Sequence, residues 1–281
     1  MRLSTGRVAM VVGLALTAWT VASVPAGSQA VTHCATAIPQ FTDWSVPVNL
    51  GTPVNTTAVE SCVTISKNGL SLFFSSVRPT GQGSRDLYVS KRHKIRDPWG
   101  EPRPLTTLNT PSWESCPALS LDEHRLYFTS NRPLGCGNID IYVSRRHDRR
   151  DDLGWEPPVN LGCDGEGGPN SPAGDQTPAL FEDEGGKVLM YFSSNRSGNL
   201  DHYQSERRDD DTFGPATPVA ELNGPLTDQG VTVRRDGLEV IFLRQTTAPP
   251  PWYYSLDFWA ATRASTKDPW SPPVYVPRLG T

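Results

Sequence analysis

Residues 114–155, ESCPALSLDEHRLYFTSNRPLGCGNIDIYVSRRHDRRDDLGW, decide the fold. ESCPALS alternates apolar and polar residues, LDEHR is a turn, and RLYFTSNR is a short aromatic strand of period 2. RPLGCGNI is a Pro/Gly loop, DIYVSRR a further strand and HDRRDDLG a charged turn. The following WEPPVNL reads as a Pro-containing edge strand, because Pro cannot donate to a sheet ladder. Four short strands, here called a to d, therefore form an antiparallel meander.

The unit recurs. Strand a opens at Glu60, Glu114, Asp175 and Asp228. Strand b carries Phe73-Phe74, Tyr127-Phe128, Tyr191-Phe192 and Ile241-Phe242. Strand c opens at Asp86, Asp140, Asp201 and Asp257, and strand d at Trp44, Trp99, Trp155, Phe213 and Trp270. The d openings are 55, 56, 58 and 57 residues apart. A fixed period with four strands in each unit marks radial repetition, in which stacked units bury one another's faces. The fold expected is all-β, a β-propeller of four-stranded antiparallel blades. Four blades account for the four a-b-c sets, and five is the alternative. The surplus strand d, Trp44–Leu50 or Trp270–Tyr275, would fasten the ring. The aromatic residues of strands b and c should pack between blades, and the Trp opening strand d should cover each blade's outer end.

The repeat resembles the TolB-type, WD-repeat-like β-propeller repeat (PD repeat) of exported bacterial proteins. The residues that carry the likeness include Val48-Asn49-Leu50-Gly51, Val54-Asn55-Thr56, Arg78-Pro79 and Asp86-Leu87-Tyr88-Val89-Ser90. The resemblance covers about residues 44–276 and is specific for fold rather than function.

The chain of 281 residues carries a net charge of −4, with no basic surplus to suit nucleic acid. Arg2 and Arg7 precede an apolar run from Val8 to Val24, and a small-residue site ends at Ala30. Residues 1–30 read as a secretory signal peptide, 31–43 as a lead and 44–281 as one propeller domain, in repeats of about 44–98, 99–154, 155–212 and 213–281. The mature protein is expected to be secreted or periplasmic, monomeric and without a membrane span. Of the five Cys, Cys136 and Cys163 fall in loops on one face of neighbouring units and are the first disulfide candidates. Cys62 and Cys116 read as buried thiols, or as alternative partners of Cys34.

In a propeller the first strand of each blade lines the channel, so Glu60, Glu114, Asp175 and Asp228 should ring one mouth. Two readings are open. Each carboxylate caps loop amides in its own repeat, or a pair serves as catalytic acid and base of a carbohydrate-active hydrolase or lyase. Converging carboxylates could also hold Ca2+, as could the acidic loop Gly162–Gly174 with Asp164 and Glu166. No motif names another metal or cofactor. Arg78, Arg132, Arg196 and Arg244 are expected to pair with Asp86, Asp140, Asp201 and Asp257. Trp113, beside Glu114, and the loop bearing Trp252, Tyr253 and Tyr254 are candidate ligand-binding aromatics. The leading functional expectation is a protein that binds a protein or glycan ligand at this face.

Overall fold

SLFFSS, RLYFTS, VLMYFSS and EVIFLRQ are short apolar runs with β-branched and aromatic residues, bounded by Gly- and Asp-containing turns. Such runs form strands that are covered on both faces. The computed structural model describes residues 45–246, 256–277 and 279. Its strands are β1 (Glu60–Ile65), β2 (Ser71–Ser76), β3 (Asp86–Lys91), β4 (Arg103–Pro104), β5 (Glu114–Leu119), β6 (Arg125–Ser130), β7 (Asp140–Arg145) and β8 (Val159–Asn160). They continue as β9 (Asp175–Glu182), β10 (Val188–Ser194), β11 (Asp201–Glu206), β12 (Thr217–Pro218), β13 (Asp228–Val233), β14 (Glu239–Gln245), β15 (Leu256–Thr262) and β16 (Val274–Tyr275). Each consecutive set of four is one antiparallel sheet, ordered along the chain. The molecule is a four-bladed β-propeller. Among the described residues no helix is long and apolar enough to cross a membrane.

Every innermost strand carries a bulge at its third residue. Cys62, Cys116, Thr177 and Gly230 have φ of 46°, 51°, 56° and 68°, and the pairing register shifts at each. A left-handed residue in a strand is the signature of a bulge that turns one side chain out of the alternation. It brings Cys62 and Cys116 together, with Cα atoms 4.6 Å apart, in a disulfide that joins the first two blades. They are thus neither buried thiols nor partners of Cys34, which lies outside the described residues. The expected Cys136–Cys163 bridge is present.

Three seams between consecutive blades are built alike. A strand-b aromatic of one blade meets the aromatic that opens strand d of the next. Phe73–Trp155, Tyr127–Phe213 and Tyr191–Trp270 lie 6.2, 5.8 and 6.4 Å apart, edge to face. Trp155, Phe213 and Trp270 therefore belong to the inter-blade core and do not cover outer ends. An Asn from the d–a loop clamps strand c of the preceding blade. Asn109 bonds both backbone groups of Leu87, and Asn170 and Asn223 do the same for Ile141 and His202.

His202 occupies the seam position held elsewhere by Leu87 and Ile141, with its ring 4.9 Å from Phe242 and neither nitrogen bonded. Burial, with the Arg244 charge nearby, pushes its pKa from 6.5 down to about 3. As pH falls below 6.5 the unfolded chain binds a proton that the folded chain refuses. The contribution is therefore complete above pH 6.5 and declines towards about 3, by up to about 1.4 kcal/mol per pH unit. His202→Leu is expected to reduce the stability lost between pH 7 and 4.5 by about 2–3 kcal/mol, measured by urea denaturation at both values.

Candidate functional site

The b–c and d–a loops share one face of the propeller and interlock there. Ser84 donates its N–H to Ser112 O, Asn138 to Ala173 O, and Asn199 Nδ2 to Leu226 O. Gly83 and Gly137 lie so close to the next d–a loop that a Cβ would strike its backbone carbonyls. The Cys136–Cys163 bridge adds a covalent tie between the same two loop types. This face is a braced crown.

Beneath it stand the four carboxylates, each held within its own blade. Glu60 Oε1 accepts from Arg78 Nη2 at 3.0 Å and Thr56 Oγ1 at 2.8 Å, and Oε2 accepts the Thr56 N–H. Glu114 repeats the set with Arg132 at 3.2 Å and with the N–H and hydroxyl of Thr110. Asp175 does so with Arg196 at 2.6 Å and both groups of Ser171. Asp228 pairs with Arg244 at 2.6 Å and takes only the N–H of Gly224. Each arginine also donates to a d–a loop carbonyl, of Val54, Leu108, Pro169 or Leu222.

The guanidinium groups lie over neighbouring aromatic rings of strands b and c. Arg132 is 5.3 Å from the Phe128 ring and 4.8 Å from that of Tyr142, and Arg78, Arg196 and Arg244 sit likewise. Flat cations favour such faces.

The ring thus takes the loop-capping role, with an arginine added. The expected Arg–Asp pairing is corrected: the partners are the strand-a carboxylates. The strand-c aspartates instead cap the b–c loop, Asp86 accepting the Gln82 and Gly83 N–H groups, and Asp140 that of Cys136. Asp201 and Asp257 accept from Ser197 and Thr246 hydroxyls.

Burial raises the Glu60 pKa, but its bonds to Thr56, Arg78 and Ser76 outweigh this and leave it lowered. Burial raises that of Asp228 against Arg244 and Gly224, and there the raised direction prevails. Gly224 lacks the hydroxyl that Thr56, Thr110 and Ser171 supply, so Asp228 has fewer donors to favour its charge. Among the described residues no group of three or more His, Cys, Asp or Glu side chains is placed to hold a metal ion. Asp164 and Glu166 lie in a short 3-10 turn after Cys163.

Trp113 is half-buried on the rim, its backbone N–H donating to Asn131 Oδ1 and its ring 5.9 Å from the Arg85 guanidinium. Trp252, Tyr253 and Tyr254 lie outside the described residues. Sequence reasoning passed over Leu134, which is fully exposed at φ 71° in the b–c loop of the second blade. Its signal was an apolar residue amid the turn formers of RPLGCG.

No protein-family model matches the chain, and no curated protein matches it. Among solved structures, an α-L-arabinofuranosidase of Lactobacillus brevis is similar at 13% identity and a TM-score of 0.52, covering 74% of this chain and 70% of that one. A candidate TolB of Agrobacterium tumefaciens is similar at 16% identity and a TM-score of 0.48, covering 75% of this chain. The present chain covers 64% of that TolB, less than two thirds of its length. An α-L-arabinofuranosidase of Podospora anserina gives 16% identity and a TM-score of 0.49, over 81% and 70% of the two chains. The likeness is one of fold.

Removing one partner of a buried ion pair strands the other. Glu114→Gln is expected to destabilise the protein by about 3 kcal/mol, measured by chemical denaturation.

Proposed function

We propose that this chain is an exported propeller of TolB-type, WD-repeat-like repeats whose loop crown binds a polypeptide ligand. The observation that carries this reading is the way the four carboxylates are used. Glu114, Asp175 and Asp228 are fully buried, and each carboxylate of the ring is bonded to its own arginine and loop amide. Glycosidic catalysis needs two carboxyls facing the substrate, about 5–10 Å apart. The hydrolase or lyase alternative, with Glu60, Glu114, Asp175 and Asp228 as its groups, has less support from this arrangement.

A crown tied by hydrogen bonds and a disulfide loses little conformational freedom on binding, which favours affinity. Leu134 supplies an exposed apolar anchor on it, and a non-Gly residue held at positive φ is a conformation that tends to collect at ligand-contacting positions. Trp113 supplies an aromatic edge on the same rim. A cleft of about 900 Å3 between the third and fourth blades, bordered by Lys187, Arg207, Lys267 and Trp270, lies among the c–d hairpins and away from the crown. Secretion rests on the residues before Val31, whose pattern is that of an export signal.

Selection of a random peptide display library on the immobilised protein, beside a glycan array, tests the reading. Enriched peptides are expected to lose at least about tenfold in affinity for Leu134→Asp and Trp113→Ala. Glycan binding unaffected by Leu134→Asp, with no enriched peptide, would overturn it.

A further inference from the structure

At the end of the propeller opposite the crown, the c–d hairpin of each later blade reaches the blade before it. Two of the three seams are closed there by a carboxylate. Asp152 Oδ1 accepts from Arg146 of its own blade at 2.8 Å, and Oδ2 accepts from Ser71 and Lys91 of the first blade. Asp211 accepts from Arg125 and Arg145 of the second blade and lies 3.6 Å from its own Arg207. The third seam has no such bridge. Asp268, two residues before Trp270 as Asp211 is before Phe213, accepts only the hydroxyl of Ser265 in its own hairpin.

The arginine that such a carboxylate would hold is nevertheless present. Arg146 lies 4.5 Å over the Trp155 ring with its Nε on the Glu123 carbonyl, and Arg263 lies 4.1 Å over Trp270 with its Nε on the Gly237 carbonyl. Arg146 has Asp152 as its counter-ion. Arg263 has the Tyr191 hydroxyl alongside and no carboxylate partner among the described residues. Arg92 lacks one as well, but its Trp99 is half-exposed to solvent, whereas Trp270 is buried at the seam.

The seam around Arg263 is open. Trp155 follows Arg146 by nine residues, but Trp270 follows Arg263 by seven, so the fourth blade's hairpin is shorter. The cleft of about 900 Å3 lies beside it. Its wall on the third blade has turned polar. Gln204 pairs opposite Tyr191 and is half-buried, where the buried Val89 and Val143 oppose Phe73 and Tyr127. Glu206 stands where Lys91 and Arg145 stand, neutralised by Lys187 at 2.7 Å. A cleft of this size, with a few polar groups over the apolar surfaces of Leu189, Val219 and Trp270, suits a small ligand.

We infer that this cleft binds a small hydroxylated monocarboxylate, whose carboxylate takes on Arg263 the place that Asp152 holds on Arg146. A half-buried guanidinium backed by an aromatic ring recognises a planar carboxylate. The other basic groups are engaged or solvated: Arg207 with Asp211, Arg208 with the Phe213 and Gly167 carbonyls, and Lys267 exposed on the rim. The walls also carry Glu206, Asp209, Glu221 and Asp268, which repel a second negative charge but accept hydrogen bonds from hydroxyl groups. All four are exposed, so they hold an ammonium group only weakly. This site is separate from the crown and independent of what the crown binds.

Calorimetric titration with D-gluconate, an open-chain acid, and D-glucuronate, a ring acid, tests the inference. At least one is expected to bind at millimolar concentration or below, the tighter of the two showing which form the cleft takes. D-glucose, D-glucose 6-phosphate and L-glutamate are each expected to bind at least about tenfold more weakly. Arg263→Met keeps a side chain over Trp270 and should lower affinity for the acid at least about tenfold, with an unchanged near-ultraviolet circular dichroism spectrum. Should that variant perturb the fold, Lys267→Asp, three residues before Trp270 as Asp152 is before Trp155, supplies an internal carboxylate and should compete the ligand out to the same extent. No binding of either acid, glucose, the phosphate ester or glutamate binding as well as the acids, or an affinity unchanged in a folded variant would overturn the inference. Because Arg263 and Lys267 lie in the fourth blade's c–d hairpin, peptide binding at Leu134 is read out separately.

Discussion

The largely buried arginine in each blade, 11–18% exposed, is the constraint on which the rest depends. A guanidinium cannot be taken out of water without acceptors for its N–H groups and an opposing charge. Strand b supplies a ring, strand c another, the d–a loop a carbonyl and strand a the carboxylate. Arg132 therefore touches every part of its blade that precedes or faces the crown: Leu108, Glu114, Ser130, Phe128 and Tyr142. The carboxylate in turn holds the amide and hydroxyl of Thr110, which fixes the entry of the chain into the blade. Blade and crown are one hydrogen-bonded object. That rigidity is the link from repeat chemistry to a loop surface able to present Leu134 and Trp113.

The fourth blade keeps the charge pair but builds it differently. Arg244 pairs opposite Asp228 in the sheet, at the place of Ser76, Ser130 and Ser194, two residues before the position of Arg78, Arg132 and Arg196. It reaches the carboxylate through Nε rather than Nη2. Gly224 lies below it, where a Cβ would come within 3.3 Å of the guanidinium, a tight contact. Loss of the hydroxyl cap and the raised pKa of Asp228 follow from that substitution. The same blade puts Leu243 where its neighbours put the hydroxyls of Ser75, Thr129 and Ser193.

Much of the fold was legible because strand period and repeat period are independent signals that agree. The Cys136–Cys163 bridge was legible because loop position alone places both residues on one face. The Cys62–Cys116 bridge was not, because alternation assigns side chains to faces and a single bulge residue at positive φ breaks that assignment without a mark in the sequence. The arginine partners were misread through proximity along the chain. Arg78 is nearer in sequence to Asp86 than to Glu60, but the antiparallel register sets Glu60 opposite Ser76 and so beside Arg78. Arg244 looked equivalent to Arg196 until the pairing with Asp228 showed its offset. Leu134 was obscured by its setting among turn residues, where exposure depends on the three-dimensional course of the loop.

A double-mutant cycle between Glu114 and Arg132, with each replaced by Gln and by Met and stabilities taken from urea denaturation, measures the brace directly. The account predicts a coupling energy of about 2–3 kcal/mol, because either single change leaves a buried polar group without its partner while the double change does not. A coupling indistinguishable from zero, with Glu114→Gln leaving stability unchanged, would contradict the structural role assigned to the carboxylate ring.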